Sequence, residues 1–241
     1  MMTRKAMMLA AAGAVVLLAG CDKQVALPEK ESTTAAATGK WLETTVMTPD
    51  GGMLMGNPAA KVKLIEYGAL TCSHCADFAK ESHDELRAMI AKGTVSYEFR
   101  NFLLSAIDVP AAILARCAGP GPFFTISDQL FATQAEWLGA TQDITASEQS
   151  QWASFPPDLL AQVLADKLGL VKFVRERGIG LEKAKACLSD KAAFDKLTEM
   201  QKAGVEQFKV SGTPTFIING QVADGIGDWE KLEPALKAAG A

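Results

Sequence analysis

The first patterned stretch of the chain is an uncharged, apolar run over residues 6–20, preceded by Arg4 and Lys5. It is too short for a comfortable transmembrane helix, and its layout is that of a secretory leader occupying residues 1–20. Residues 22–40 are polar, rich in Ala, Thr and Ser, and lack apolar periodicity, a composition that predicts a flexible tether. Regular patterning begins at residues 61–67, KVKLIEY, where alternation passes into continuous apolar positions, as in a strand entering the centre of a sheet. Phe78, Leu86, Met89 and Ile90 then recur at a loose helical spacing, predicting a helix over 75–91 that stops at Lys92-Gly93. Residues 94–104, TVSYEFRNFLL, alternate and are rich in β-branched and aromatic types, predicting a second strand. From 109 to 207 the pattern is helical, with segments at 111–117, 127–138, 159–176 and 182–207 punctuated by Pro120, Pro122, Pro156, Pro157 and Gly178. Strand character returns at 215–219, Asn219-Gly220 predicts a hairpin turn with a return strand from 221, and 229–239 reads as a closing helix. The order is strand, helix, strand, long helical insert, hairpin, helix. This is an α/β arrangement in which the strands at the two ends can share one sheet, with the insert as a cap.

Composition adds little to that picture. Hydrophobic residues make up 49% and charged residues 22%, ordinary values for a globular protein. The formal net charge of −4 becomes −6 once Arg4 and Lys5 leave with the leader, and no basic cluster is present, which argues against a nucleic-acid partner. Leu18-Ala19-Gly20-Cys21 resembles the lipobox of bacterial lipoproteins, which implies lipidation of Cys21 after cleavage and a tether over 21–47. An ordinary signal peptide ending near a cysteine is the other reading. In that lipoprotein family Asp at the position of Asp22 favours inner-membrane retention in enteric bacteria. An anchor and tether would hold a soluble domain on the outer side of a membrane, where disulfides persist.

The candidate chemistry lies in TCSHC, residues 71–75. Cys72 follows a strand and opens a helix, where unpaired backbone N–H groups and the macrodipole stabilise a thiolate. His74 would favour the anion further if its imidazole lies near the sulfur. Stabilising the thiolate stabilises the reduced pair and makes the disulfide more oxidising. Zinc binding would need further ligands, and the other histidine, His83, sits farther along the same predicted helix, so no metal site is expected. A purely structural disulfide over so short a loop would constrain little of the unfolded chain. Of the five cysteines, Cys117 and Cys187 remain. Either they close a loop of about 70 residues, worth roughly 4 kcal/mol in the chain-entropy model, or they are buried thiols acting as small hydrophobes; spacing alone does not choose.

Two separated stretches, EYGALTCSHC (66–75) and VSGTPTFIING (210–220), together resemble the DsbA-type thiol:disulfide oxidoreductases of the thioredoxin-like superfamily, over about residues 48–239. The resemblance implies a thioredoxin-like domain from residues 48–108 and 208–241, with a large helical insertion at 109–207. It implies Cys72 as nucleophile and Cys75 as its buried partner, with Ser73 and His74 setting the redox potential; Ser73 departs from the Pro of the best-known oxidases. Glu66 matches the place where thioredoxin-like proteins often keep an acid that moves protons to the second cysteine; a solvent-facing strand glutamate is the alternative. Thr213-Pro214 matches the family's cis-proline loop, with Gly212, Thr213 and Pro214 on the substrate side. The implied partners are unfolded exported proteins with free thiols and a membrane quinone-linked reoxidising protein. The implied setting is the periplasmic side of a bacterial membrane, for a lipid-anchored monomer without organic cofactor. A reductase or isomerase on the same fold, and an anchored binding or chaperone module, are the competing readings; isomerases usually add a dimerisation domain, for which 22–47 is too short.

Overall fold

The structure, a computed structural model, describes residues 40–241. The expectations for the leader, for Cys21 and for the tether up to residue 39 lie outside the described residues. Among the described residues six strands form one mixed sheet: β1 (Thr45–Met47), β2 (Met53–Gly56), β3 (Val62–Gly68), β4 (Val95–Asn101), β5 (Thr215–Ile218) and β6 (Gln221–Val222). Their spatial order is β1-β2-β4-β3-β5-β6. The central pair β3 and β4 is parallel, and every other neighbouring pair is antiparallel. A parallel pair needs a crossover, and α1 (Ser73–Ala91) supplies it. Between β4 and β5 the chain forms α2 (Asp108–Arg116), α3 (Pro120–Ala132), α4 (Gln134–Gly139), α5 (Ala146–Trp152), α6 (Pro157–Lys167), α7 (Leu170–Arg175), α8 (Leu181–Leu188) and α9 (Lys191–Phe208); α10 (Trp229–Ala239) closes it. This is a thioredoxin-like sheet with a helical insertion.

Both faces of the sheet are covered, which is why β3 reads as nearly continuous apolar sequence. Along β3, Val62, Leu64 and Glu66 share one face and Ile65 and Tyr67 the other. The first face joins Phe78 and Ile90 of α1, Phe99, Phe123 and Phe216 in the main core. On the second face Tyr67 packs with Ile217, Phe102 and Val210. There α9 comes so close that a side chain on Gly204 would start 2.6 Å from the Tyr67 ring.

Several elements differ from the sequence expectations. The sheet begins before residue 48: Trp41–Glu43 forms a 3-10 turn and β1 pairs with β2, so 40–47 is structured rather than tether. The β1 strand is a partly exposed edge, and it lacks the buried alternation that makes a strand visible. The helix expected at 127–138 is two, because α3 starts earlier with Pro120 and Pro122 in its first turn, where proline is tolerated, and breaks at Thr133. The segment 159–176 divides at Gly169, whose φ of 68° lies in the left-handed region. The segment 182–207 divides where the Asp190 carboxylate accepts from Ala192 N at 2.9 Å and caps α9. At the hairpin, Asn219 and Gly220 have φ of 51° and 84°, the geometry such a turn requires. Among the described residues no helix is long and apolar enough to cross a membrane.

Candidate active site

The end of β3 and the start of α1 bring a dithiol to one edge of the sheet. Cys72 is the N-cap of α1, and its Sγ accepts the Cys75 N–H at 3.4 Å. As a thiol it donates to the Thr213 carbonyl at 3.3 Å. Cys72 is 8% exposed and Cys75 0%, and both are free thiols. The Cys72 pKa is lowered to about 5. The largest cause is hydrogen bonding from the Cys75 thiol, opposed by burial and supported by the Thr213 hydroxyl and by the backbone N–H groups of Cys75 and His74. The Thr213 hydroxyl oxygen is buried without a hydrogen-bond partner, so its hydrogen is available to the thiolate. Burial pushes the Cys75 thiol strongly upward, with the hydrogen bond to Cys72 and the charge of Glu66 acting in the same direction. Two cysteines in one turn thus become a thiol that is ionised at neutral pH and a partner that holds its proton.

His74 and Ser73 are exposed. His74 lines a groove of about 780 Å³ together with Phe208, Ser211, Thr213, Pro214 and Asp224. What His74 gives the sulfur is its backbone N–H. The Thr213–Pro214 peptide bond is cis, and Gly212 accepts the Thr215 hydroxyl at 2.7 Å. The loop 212–214 therefore faces Cys72 from the start of β5, across 141 positions of sequence.

Glu66 lies beneath this pair, 1% exposed. Its register partners are Phe99 on β4 and Phe216 on β5. Tyr97, two residues before Phe99, reaches diagonally on the same face to donate to Glu66 Oε2 at 2.5 Å. Burial raises the Glu66 pKa to about 8, against the Tyr97 hydrogen bond and with the charges of Cys72 and Asp128 adding to the rise. A side chain on Gly68 would start 2.7 Å from Glu66 Oε1 and 2.6 Å from Phe99, so the strand end admits only glycine beside the acid. Among the described residues no group of His, Cys, Asp and Glu is arranged to hold a metal ion. Cys117, at the end of α2, is bonded to Cys187 on α8 with Cα atoms 5.8 Å apart.

Sequence reasoning missed three residues that hold the dithiol loop or the acid beneath it. Asp108, buried at the start of α2, accepts from Thr71 N at 3.1 Å, from the Thr71 hydroxyl at 2.9 Å and from Ser105 N at 3.0 Å. Gln134 on α4 donates to the Leu70 and Cys72 carbonyls at 2.8 and 3.0 Å. Tyr97 is the third. Asp108 stands 37 positions from Thr71 and Gln134 62 positions from Cys72, so no local pattern ties them to the dithiol loop.

The family model described as Thioredoxin matches residues 48–238. A Rickettsia bellii protein named as a protein-disulfide oxidoreductase is 30% identical over 188 residues, covering 75% of this chain and 62% of its own length. The chain thus spans about three fifths of the curated relatives it matches. Among solved structures, a protein-disulfide isomerase from Novosphingobium aromaticivorans aligns with a TM-score of 0.74 at 33% identity, covering 78% of this chain and 97% of that one. Wolbachia pipientis alpha-DsbA1 aligns with a TM-score of 0.63 over 80% of this chain and 92% of that one; at 20% identity it shares the fold.

Proposed function

We propose, for a chain that belongs to the thioredoxin family, that it is a protein thiol:disulfide oxidoreductase acting as an oxidant of exported proteins at Cys72 and Cys75. The observation that carries this reading is Cys72 at the N-cap of α1, its Sγ accepting the Cys75 N–H at 3.4 Å and lying against the Thr213 carbonyl, with its pKa lowered to about 5 beside a Cys75 whose proton is held. A thiolate that stable stabilises the reduced form, so the disulfide gives its bond away readily. A substrate thiolate attacks the Sγ of Cys72, the Cys72–Cys75 bond breaks, and the electron pair leaves on Cys75, which takes a proton from neutral Glu66. A second substrate thiolate then attacks the substrate sulfur of the mixed disulfide and releases Cys72 as its thiolate. The groove beside Pro214 is open enough for an extended chain, and the 212–214 loop offers it backbone groups. The leader motif and Cys21 support an extracytoplasmic, lipid-anchored setting, in which a membrane quinone-linked protein would restore the disulfide of a monomer.

The solved relative named as an isomerase favours one second reading, disulfide isomerisation on the same site. Mixing the oxidised chain with a reduced, unfolded multi-cysteine protein tests the two. Rapid loss of the substrate's free thiols, matched by reduction of the Cys72–Cys75 disulfide and with the ultraviolet thiolate absorbance of Cys72 titrating near pH 5, is the expected result. A Cys72 that titrates like an ordinary thiol, or reshuffling of scrambled disulfides without net oxidation, would refute the oxidant assignment.

A further inference from the structure

Glu66 has a second side that thiol exchange at Cys72 does not use. Tyr97, its hydroxyl on Glu66 Oε2, lines a small cavity between α1, β4 and α3 with a volume of about 40 Å³. At roughly 10–15 Å³ for each water, such a space holds about three. Most of its wall is aromatic or aliphatic, but Ser82, His83 and Arg87 of α1 and Ser127 and Asp128 of α3 converge on it with Tyr97. Ser127 Oγ and Glu66 Oε1 are both buried without a protein partner, the kind of atom that internal water satisfies. At the outer end Asp128 stands 3.6 Å from Arg87, and their side chains are 40% and 34% exposed. Ala79, His83, Asp128 and Phe131 of the cavity wall also line an open groove of about 690 Å³ that carries Asp77, Lys80 and Asp84. That groove shares no residue with the one beside Pro214.

We propose that Tyr97, the cavity at Ser127 and Asp128 form a proton conduit that joins Glu66 to solvent while a substrate covers Cys72. The proposal rests on the exchange reading above, since a chain lying against His74 and Pro214 would close the near side of the dithiol. When Cys75 leaves as a thiolate, Glu66 gives it a proton and becomes a carboxylate. The Tyr97 hydroxyl passes its proton to Glu66 and takes one from water in the cavity, and Asp128 replaces that proton from the outer groove. One proton moves from solvent to Cys75, and no electrons move beyond the exchange itself; reoxidation runs the path in reverse. The ionisable groups facing Glu66 are Tyr97 from β4, Cys72 and Cys75 from the start of α1, and Asp128 from α3; those facing Asp128 are His83 and Arg87 of α1. Burial raises the pKa of Tyr97 well above its ordinary value, so its two proton transfers are coupled rather than passing through a free tyrosinate.

The test is stopped-flow exchange between the oxidised full chain and a small thiol-bearing peptide, in light and heavy water and in dilute buffer, from below the Cys72 titration to above that of Glu66. Tyr97→Phe is expected to slow the proton-coupled step by about a hundredfold, the lower end of what a positioned proton donor contributes. It is also expected to enlarge the solvent isotope effect and to regain rate with formate or imidazole. Asp128→Asn should show a smaller loss with the same rescue, Asp128→Glu should behave as the native chain, and the Cys72 titration should stay in place throughout. Native rates and isotope effects in both Tyr97→Phe and Asp128→Asn would overturn the conduit, and so would a slowing that tracks a shifted Cys72 titration and resists small acids. A native chain that exchanges no thiols would instead refute the underlying oxidoreductase reading, which keeps the two failures apart.

Discussion

Two cysteine pairs in this chain sit in opposite circumstances. Cys72 and Cys75 lie within one turn at the start of α1, surrounded by backbone N–H groups, a hydroxyl and a buried acid. Cys117 and Cys187 are separated by 70 positions and join two helices. A bond across the first pair closes almost no loop, so its equilibrium is governed by how well the fold holds one sulfur as an anion. A bond across the second removes a long loop from the unfolded ensemble, worth about 4 kcal/mol in the chain-entropy model. The same side chain is a readily ionised thiol in one place and half of a disulfide clamp in the other, and the difference lies in the backbone groups aimed at the sulfur and in the chain between the partners.

The sharpest way to break this contrast is to remove each pair. Cys72→Ser should abolish disulfide exchange while leaving the fold intact. Cys117→Ser with Cys187→Ser should keep exchange but lose about 4 kcal/mol of stability, a fall in Tm on the order of 10 °C for a domain of this size. Denaturant unfolding and a thiol-exchange assay on both variants decide the matter; loss of exchange in the folded double variant would erase the division between the pairs.

A second effect, of a few kcal/mol, concerns the acid beneath the reactive pair. The pKa of Glu66 is raised from 4.5 to about 8 in the fold, so the folded chain keeps a proton that the unfolded chain has released. Stability attributable to this group therefore falls as pH rises from about 4.5 to about 8. Glu66→Gln should match the native chain near the lower limit and become progressively more stable than it toward the upper one. Unfolding curves at several pH values measure this, and a difference that does not vary with pH would show that Glu66 is ionised throughout.

The smallest expected effect lies in the loop that presents Cys72. Gln134→Ala leaves the Leu70 carbonyl without its donor, while the Cys72 carbonyl keeps the Ala76 N–H at 3.2 Å, at a cost of about 1–3 kcal/mol. The Cys72 titration should move little, because no sulfur contact is removed. A large shift in that titration would mean that Gln134 tunes the sulfur and does not merely hold the loop.

Much of the fold was legible because its central strands carry strong local patterns and α1 a looser one bounded by a clear stop. Residues 61–67 and 94–104 correspond to β3 and β4, and 229–239 to α10. The insert was legible as helical but not in its divisions, since Gly169, Thr133 and the Asp190 cap interrupt apolar stripes that continue through them. The β1–β2 hairpin was illegible because an edge strand of three residues has no periodicity to read. At the site, TCSHC and the Thr213-Pro214 loop stand out as motifs, whereas Tyr97, Asp108 and Gln134 are ordinary residues made significant by packing.

By itself the sequence determined the strand, helix and strand order, the helix N-terminus at Cys72 and the hairpin at Asn219-Gly220. These follow from periodicity and turn chemistry, which act over a few residues. Only the tertiary structure decided that Thr213 faces the Cys72 sulfur, that Tyr97 lies on the Glu66 face, and that Cys117 meets Cys187. Strand register and helix docking bring these groups together from distant parts of the chain. Burial, which separates the two thiols of one turn and lifts Glu66 to about 8, exists only once those layers have closed.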